Sequence, residues 1–216
     1  MKFPNAHKGV KKLFICELIG VVATLLAIAT AVLAAIGLKD SSVLAAAGAM
    51  ALTSVIVLIV LFVLQLVGLH QAGKDELQIK YAFCITVLGV ILAVVSSILT
   101  NFNGRGIELA KTFVDAAVKV SQLLAAYYVL MGISALAGKL KDVAMEKKGR
   151  ALANWVVFFF FVSIVFNILS TVLLPHSPEW LKVTLGVLVI VASVVELIVY
   201  VVTFFYYAKA VKMLKK

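Results

Sequence analysis

Residues 183–207 read VTLGVLVIVASVVELIVYVVTFFYY, a run of twenty-five residues with one charged side chain, Glu196. An α-helix rises about 1.5 Å per residue, so roughly 20 apolar residues cross the ~30 Å hydrocarbon core of a bilayer. This run is long enough to span. The rest of the chain follows suit: of 216 residues, 64% are hydrophobic and 14% charged, whereas a soluble domain is about 45–50% apolar and about 25% charged.

Working outward from 183–207, five more apolar runs cover approximately 13–38, 43–69, 81–99, 113–137 and 151–174. The fourth is the least regular. The expected fold is an all-α integral membrane protein. Its six transmembrane helices form three hairpins in a single polytopic domain over 1–216, without a soluble domain. The first run is too long for the h-region of a cleaved signal peptide, which covers about 7–15 residues. It is therefore read as a retained span.

Orientation follows from where the basic residues fall. The N-terminal segment, 70–80, 138–150 and the C-terminal segment together carry 15 Lys and Arg, and the alternate connections carry 5. Cytoplasmic loops hold the excess of Lys and Arg, so both termini are expected in the cytoplasm, which requires an even number of spans. The net charge of +10 sits in short loops between apolar runs. That distribution suits an anionic membrane surface and argues against nucleic acid. The short loops suggest the plasma (inner) membrane of a prokaryote.

A weak internal similarity accompanies the hairpins. Lys8-Gly9 precedes the first span and Lys148-Gly149 precedes the fifth. The exits of the even spans read Ala72-Gly73-Lys74, Ala137-Gly138-Lys139 and Ala208-Lys209. Parallel repeats of this kind occur in transporters, but any hairpin flanked by basic residues would look alike. A small-residue first span in a six-span chain of this length is similar to the substrate-binding subunits of energy-coupling-factor vitamin transporters. The likeness is one of size and span count and carries over no binding residue.

The polar residues inside the spans are the candidates for chemistry. Glu196 lies near the middle of its run, where snorkelling to an interface is hardest. An ionised carboxylate there costs at least about 2.5–3.5 kcal/mol. It needs a partner or a wet cavity, as part of a solute, cation or proton site. The competing reading is a protonated Glu bonded to a neighbouring helix as packing glue. On the fourth span, Glu108, Lys111, Asp115, Lys119 and Gln122 recur at intervals of three or four and share one helical stripe. Asp115 and Lys119 form an i,i+4 acid–base pair. The stripe reads either as the interfacial start of the helix or as the lining of an outward-open vestibule. Asp115, Lys119, Gln122 and Glu196 are the expected solute- or ion-binding residues.

Other polar groups read as structural. Glu17 is expected to pair with Lys11, Lys12 or Lys80. Gln65, Asn154 and Asn167 read as interhelical glue, a role averaging about 0.6 kcal/mol per bond. Ala23, Ala27, Ala31 and Ala35 form a small-residue ridge, as do Ala45, Ala49 and Thr53, which predicts a tight first hairpin. Trp155, Trp180, Tyr206 and Tyr207 suit the interfaces, and the run Phe158–Phe161 suits lipid contact. Cys16 and Cys84 are too few for a disulfide framework and read as buried small hydrophobes.

No nucleophile elbow, Walker loop or metal-ligand spacing is present, so an enzyme is disfavoured and no cofactor or metal is expected. Two functions are open. One is binding or transport of a small polar or cationic solute, or of protons, around Glu196. The other is a non-catalytic membrane subunit or scaffold that docks a protein partner or a second copy through basic loops, 138–150 above all. The first predicts a closed, polar inner cavity.

Overall fold

The structure, a computed structural model, describes residues 2–36, 41–102, 104–173 and 178–215. Some side chains within these helices lie outside the described set, Glu196 and Asn167 among them. Six helices follow in order: α1 (Pro4–Ile36), α2 (Ser41–Ala72), α3 (Leu77–Leu99), α4 (Arg105–Lys139), α5 (Val143–Leu173) and α6 (Glu179–Lys215). There is no strand among the described residues. Among the described residues, five stretches are by length and composition apolar enough to cross a membrane: Pro4–Leu33, Gly48–Ala72, Leu77–Leu99, Gly106–Lys139 and Leu197–Lys215. The molecule is thus an all-helical bundle of a kind that suits a membrane.

The helices begin and end where the backbone can be satisfied. Pro4 opens α1, where its missing N–H costs nothing. The free Ala6 N–H two residues on donates to the Asp75 carboxylate at 2.7 Å, and the Asn5 amide donates to its other oxygen at 2.9 Å. Asp142 caps α5 in the same way, accepting the Met145 N–H at 3.0 Å. Gly104 enters α4 with φ +141°, a backbone that a side chain would resist. Within the helices, Thr24, Thr53, Thr86 and Thr203 donate their hydroxyls to the carbonyl four residues back, at 2.8–2.9 Å. That bond meets the hydroxyl's need without water.

The helices pack into a ring. α1 lies along α2 and α3 along α4 over long contacts; α5 packs on α4 and α6, and α6 returns to α1. α2 and α3 touch far less than either touches its own partner, so the first two hairpins diverge from the turn they share. Gly9 and Gly68 meet at the α1–α2 crossing, where a Cβ on Gly9 would lie 2.6 Å from Ala72 Cβ. The first hairpin is tight, as its sequence predicts, but the close approach is made by these glycines. Of the alanine ridges, Ala23 is buried while Ala31, Ala49 and Thr53 are exposed.

The core lies at one end of the bundle. The fully buried Val10, Leu69, Ile79, Leu130, Ile133 and Leu214 all belong there. So do the four basic segments: the start of α1, the α2–α3 turn, the α4–α5 turn and the end of α6. They are tied by the Lys139–Glu76 ion pair at 2.6 Å, with the Glu76 side chain 8% exposed, and by Ser134 Oγ donating to the Glu146 carbonyl at 2.7 Å. Elsewhere the large apolar side chains are turned outward, Leu25, Leu52, Ile59, Ile91, Phe158 and Phe161 among them. In water such a surface would be an aggregation liability; in lipid it is the expected exterior.

Candidate functional site

The divergence of the first two hairpins opens a cleft of ≈ 530 Å³, within the range of small-molecule sites, roughly 300–1,000 Å³. α1 contributes Cys16 and Glu17, α2 contributes Gln65, α3 Thr86 and Gly89, α4 Ser121 and Gln122, and α6 Tyr207. The remaining lining is apolar, including Leu58, Leu61, Phe62 and Val90. The lining residues of α3 run from Thr86 to Ala93 and so flank the midpoint of that 23-residue helix.

Local packing explains why the space stays open. α3 approaches α4 at Gly89, where a Cβ would run into Ser121 Oγ. Ser121 is itself buried and donates to the Val118 carbonyl at 2.7 Å. That contact fixes the register of α3 on α4 and turns Gln122, the next residue, toward the cleft. Across the gap, Cys16 Sγ donates to the Leu61 carbonyl at 3.5 Å, and Tyr200 OH on α6 donates to the Glu17 carbonyl at 3.1 Å. Phe14 packs on Phe204 with ring centroids 5.1 Å apart. α1 is thus held between α2 and α6, with Glu17 on the cleft side.

Among the described residues, Glu17 is the one carboxylate of the lining and no Lys or Arg belongs to it. The expected pairing with Lys11, Lys12 or Lys80 does not form: among the described residues Glu17 makes no ion pair. Those lysines lie toward the basic end, and Glu17 faces the other way, inward. Gln65 and Gln122 are both accessible from the cleft. Their amides offer donors and acceptors without adding charge.

The residues singled out on α4 part company. Gln122 lines the cleft. Asp115 instead accepts a hydrogen bond from Ser96 Oγ and sits at the α3–α4 contact, away from the cleft lining. Lys119 is exposed, lies outside the cleft and makes no ion pair with Asp115 among the described residues. The stripe is therefore divided among three environments. More than half of the most apolar window of α4 is buried (56%), against none of that of α2 (0%). A helix in contact with α3, α5 and α6 can carry polar residues that a lipid-facing helix cannot.

Glu196 lies within α6, and its side chain is outside the described residues. Its helical register is defined: it falls one turn before Tyr200, on the stripe that continues to Tyr207. Cys16 lines the cleft, half-buried, while Cys84 is exposed, so the buried reading fails for Cys84. Its thiol is apolar enough for an outer face. Sequence reasoning assigned Glu17 and Gln65 to structural roles. The signal that would have found them is the helical register of Cys16-Glu17 and Gln65 on two helices already expected to pair. Among the described residues, no three His, Cys, Asp or Glu side chains are placed to hold a metal ion.

No family model, no curated protein and no solved structure matches the chain, so its function is argued from its own residues and geometry.

Proposed function

We propose that this is a multi-pass membrane protein that binds a small cationic or polar solute in the cleft between its first two hairpins. The observation that carries the reading is Glu17: a carboxylate lining a cleft to which, among the described residues, no Lys or Arg contributes. A carboxylate without an internal counter-ion, in surroundings of low dielectric, gains most from a cation that enters from outside. Gln65 and Gln122 then orient the solute, and the apolar walls take its carbon frame. Six spans, with both termini and the basic end of the bundle in the cytoplasm, complete the reading. α3, at 23 residues, is about 35 Å long at 1.5 Å per residue. It thus matches the membrane thickness and sets the cleft near the midplane, where transporter sites lie. The membrane is that of a prokaryotic cell and the role is non-catalytic.

Glu196 keeps a place in this reading as a second carboxylate on the outward continuation of the Tyr200–Tyr207 stripe. It would relay a solute or proton between the cleft and the far side. Asp115 and Lys119 are reassigned, the first to fastening α3 on α4 and the second to the exterior.

The test is thermal unfolding of the detergent-purified protein against guanidinium, choline and tetramethylammonium, each compared with neutral and anionic solutes of similar size. At least one cation raises the melting temperature of the wild type, and Glu17→Gln, which keeps the side chain's shape, abolishes the shift. Equal stabilisation of the two proteins would reject the site.

The alternative is a scaffold docking through 138–150. It is the weaker reading because Lys139 and Glu146 are engaged within the bundle, by Glu76 and by the Ser134 hydroxyl, and Arg150 is paired with Glu146, which leaves Lys141, Lys147 and Lys148 as the exposed, unpaired cations of the segment among the described residues.

A further inference from the structure

The basic end of the bundle carries a second cavity, of ≈ 340 Å³, lined by Asp142, Ala144, Met145, Lys148, Lys209, Lys212 and Met213. Three exposed lysines from two helices converge on it, and none is ion-paired among the described residues. The single carboxylate, Asp142, already accepts the Met145 N–H, and Met145 and Met213 make an apolar floor. A site with three ammonium groups against one engaged carboxylate suits a singly or doubly charged phosphate.

What lies beyond the lysines identifies the source of that phosphate. Stepping along α5 from Lys148 by threes and fours gives Ala151, Trp155 and Phe158, all exposed. Stepping back along α6 from Lys209 gives Phe205, Val202 and Ile198, all exposed. Each helix thus carries an apolar stripe in line with its lysine, running away from the basic end. A soluble anion would leave both stripes unused. A lipid fills all three places, with its phosphate among the ammonium groups and its acyl chains on the stripes.

We propose that Lys148, Lys209 and Lys212 form a headgroup site for one anionic phospholipid at the cytoplasmic end of α5 and α6. The proposal rests on the membrane-spanning reading above. It is independent of the solute cleft.

Trp155 reports on it directly. In a Trp180→Phe background, Trp155 is the sole tryptophan. The protein is reconstituted in bilayers containing phosphatidylglycerol or phosphatidylcholine brominated near the carbonyl end of the chains, which quench tryptophan on contact. The brominated anionic lipid should quench with higher apparent affinity, on the order of five-fold or more, given roughly five-fold per basic group near an anionic surface. Lys148→Gln, Lys209→Gln and Lys212→Gln combined should reduce that preference to near unity while both lipids still quench. A control with Lys8, Lys74 and Lys147 changed to Gln should keep it. The proposal is overturned if the first triple variant keeps its preference, or if the control loses as much. It is also overturned if millimolar inorganic phosphate erases the preference, which would assign the groove to free phosphate. Quenching by neither lipid would instead reject the membrane reading itself.

Discussion

Glu17 shows how a residue's neighbours decide its role. From sequence it is an acidic group one turn inside a span with three lysines within reach. In the bundle it lines the cleft instead, where Gly9 draws the start of α1 onto α2 and Tyr200 on α6 holds the carbonyl of Glu17 itself. Direction on a helix is set by contacts far apart in sequence, so Glu17 and Gln65 were hidden while Gln122 was visible. Asp115 and Lys119 illustrate the converse: an i,i+4 pair that reads as a unit is split, since Ser96 on α3 offers the carboxylate a closer partner. Lys141 is another local departure. Its φ of +62° is left-handed, in a turn where the Asp142 N–H donates to the Ala137 carbonyl at 2.9 Å. A residue with a Cβ pays about 1–2 kcal/mol there, whereas glycine does not. Lys141→Gly should therefore stabilise the protein by about 1 kcal/mol in denaturant unfolding, net of the extra freedom that glycine gains in the unfolded chain. Loss of stability would show that the lysine side chain makes a compensating contact.

At the scale of elements, the run lengths and basic flanks were enough to place all six helices, because a long apolar run satisfies its backbone polar groups most simply within itself, as a helix. Their inner ends were less legible. α1 begins at Pro4 and α6 runs to Lys215, well past the apolar runs, since the capped and ion-paired basic end continues the helices beyond those runs. The Lys-Gly pairs before the first span and in α5 mark equivalent places: Gly9 meets Gly68 and Ala72, while Gly149 meets Tyr206 and Ser134. Both glycines lie at close helix crossings, which the alanine spacing alone did not reveal. Gly9→Val should cost about 1–3 kcal/mol, seen as a lower midpoint in thermal unfolding of the detergent-solubilised protein. Gly186→Val, at a position with open space around it, should cost less than half as much. Equal effects would mean that the α1–α2 crossing is not tightly packed.

For the whole molecule, the four basic segments share one end, and the core, the ion pair and the two acidic caps lie there too. The bundle is fastened at that end, and its first two hairpins diverge around the cleft. Side-specific labelling checks the orientation. In a Cys16→Ser, Cys84→Ser background, Lys2→Cys and Lys215→Cys should react with an impermeant maleimide only after the cells are permeabilised, and Phe102→Cys should react in intact cells. Labelling of the two ends from opposite sides would refute an even number of spans. The central claim is that Glu17 gives a water-accessible cleft a preference for cations, and Cys16, its neighbour in the lining, measures this in place. With Cys84→Ser in membranes open to both sides, the rates at which cationic and anionic methanethiosulfonates modify Cys16 are compared at equal concentration. The account predicts that both react, with the cationic reagent faster on the order of ten-fold, and that Glu17→Gln removes most of the difference. Equal rates in the parent protein, or no modification by either reagent, would contradict it.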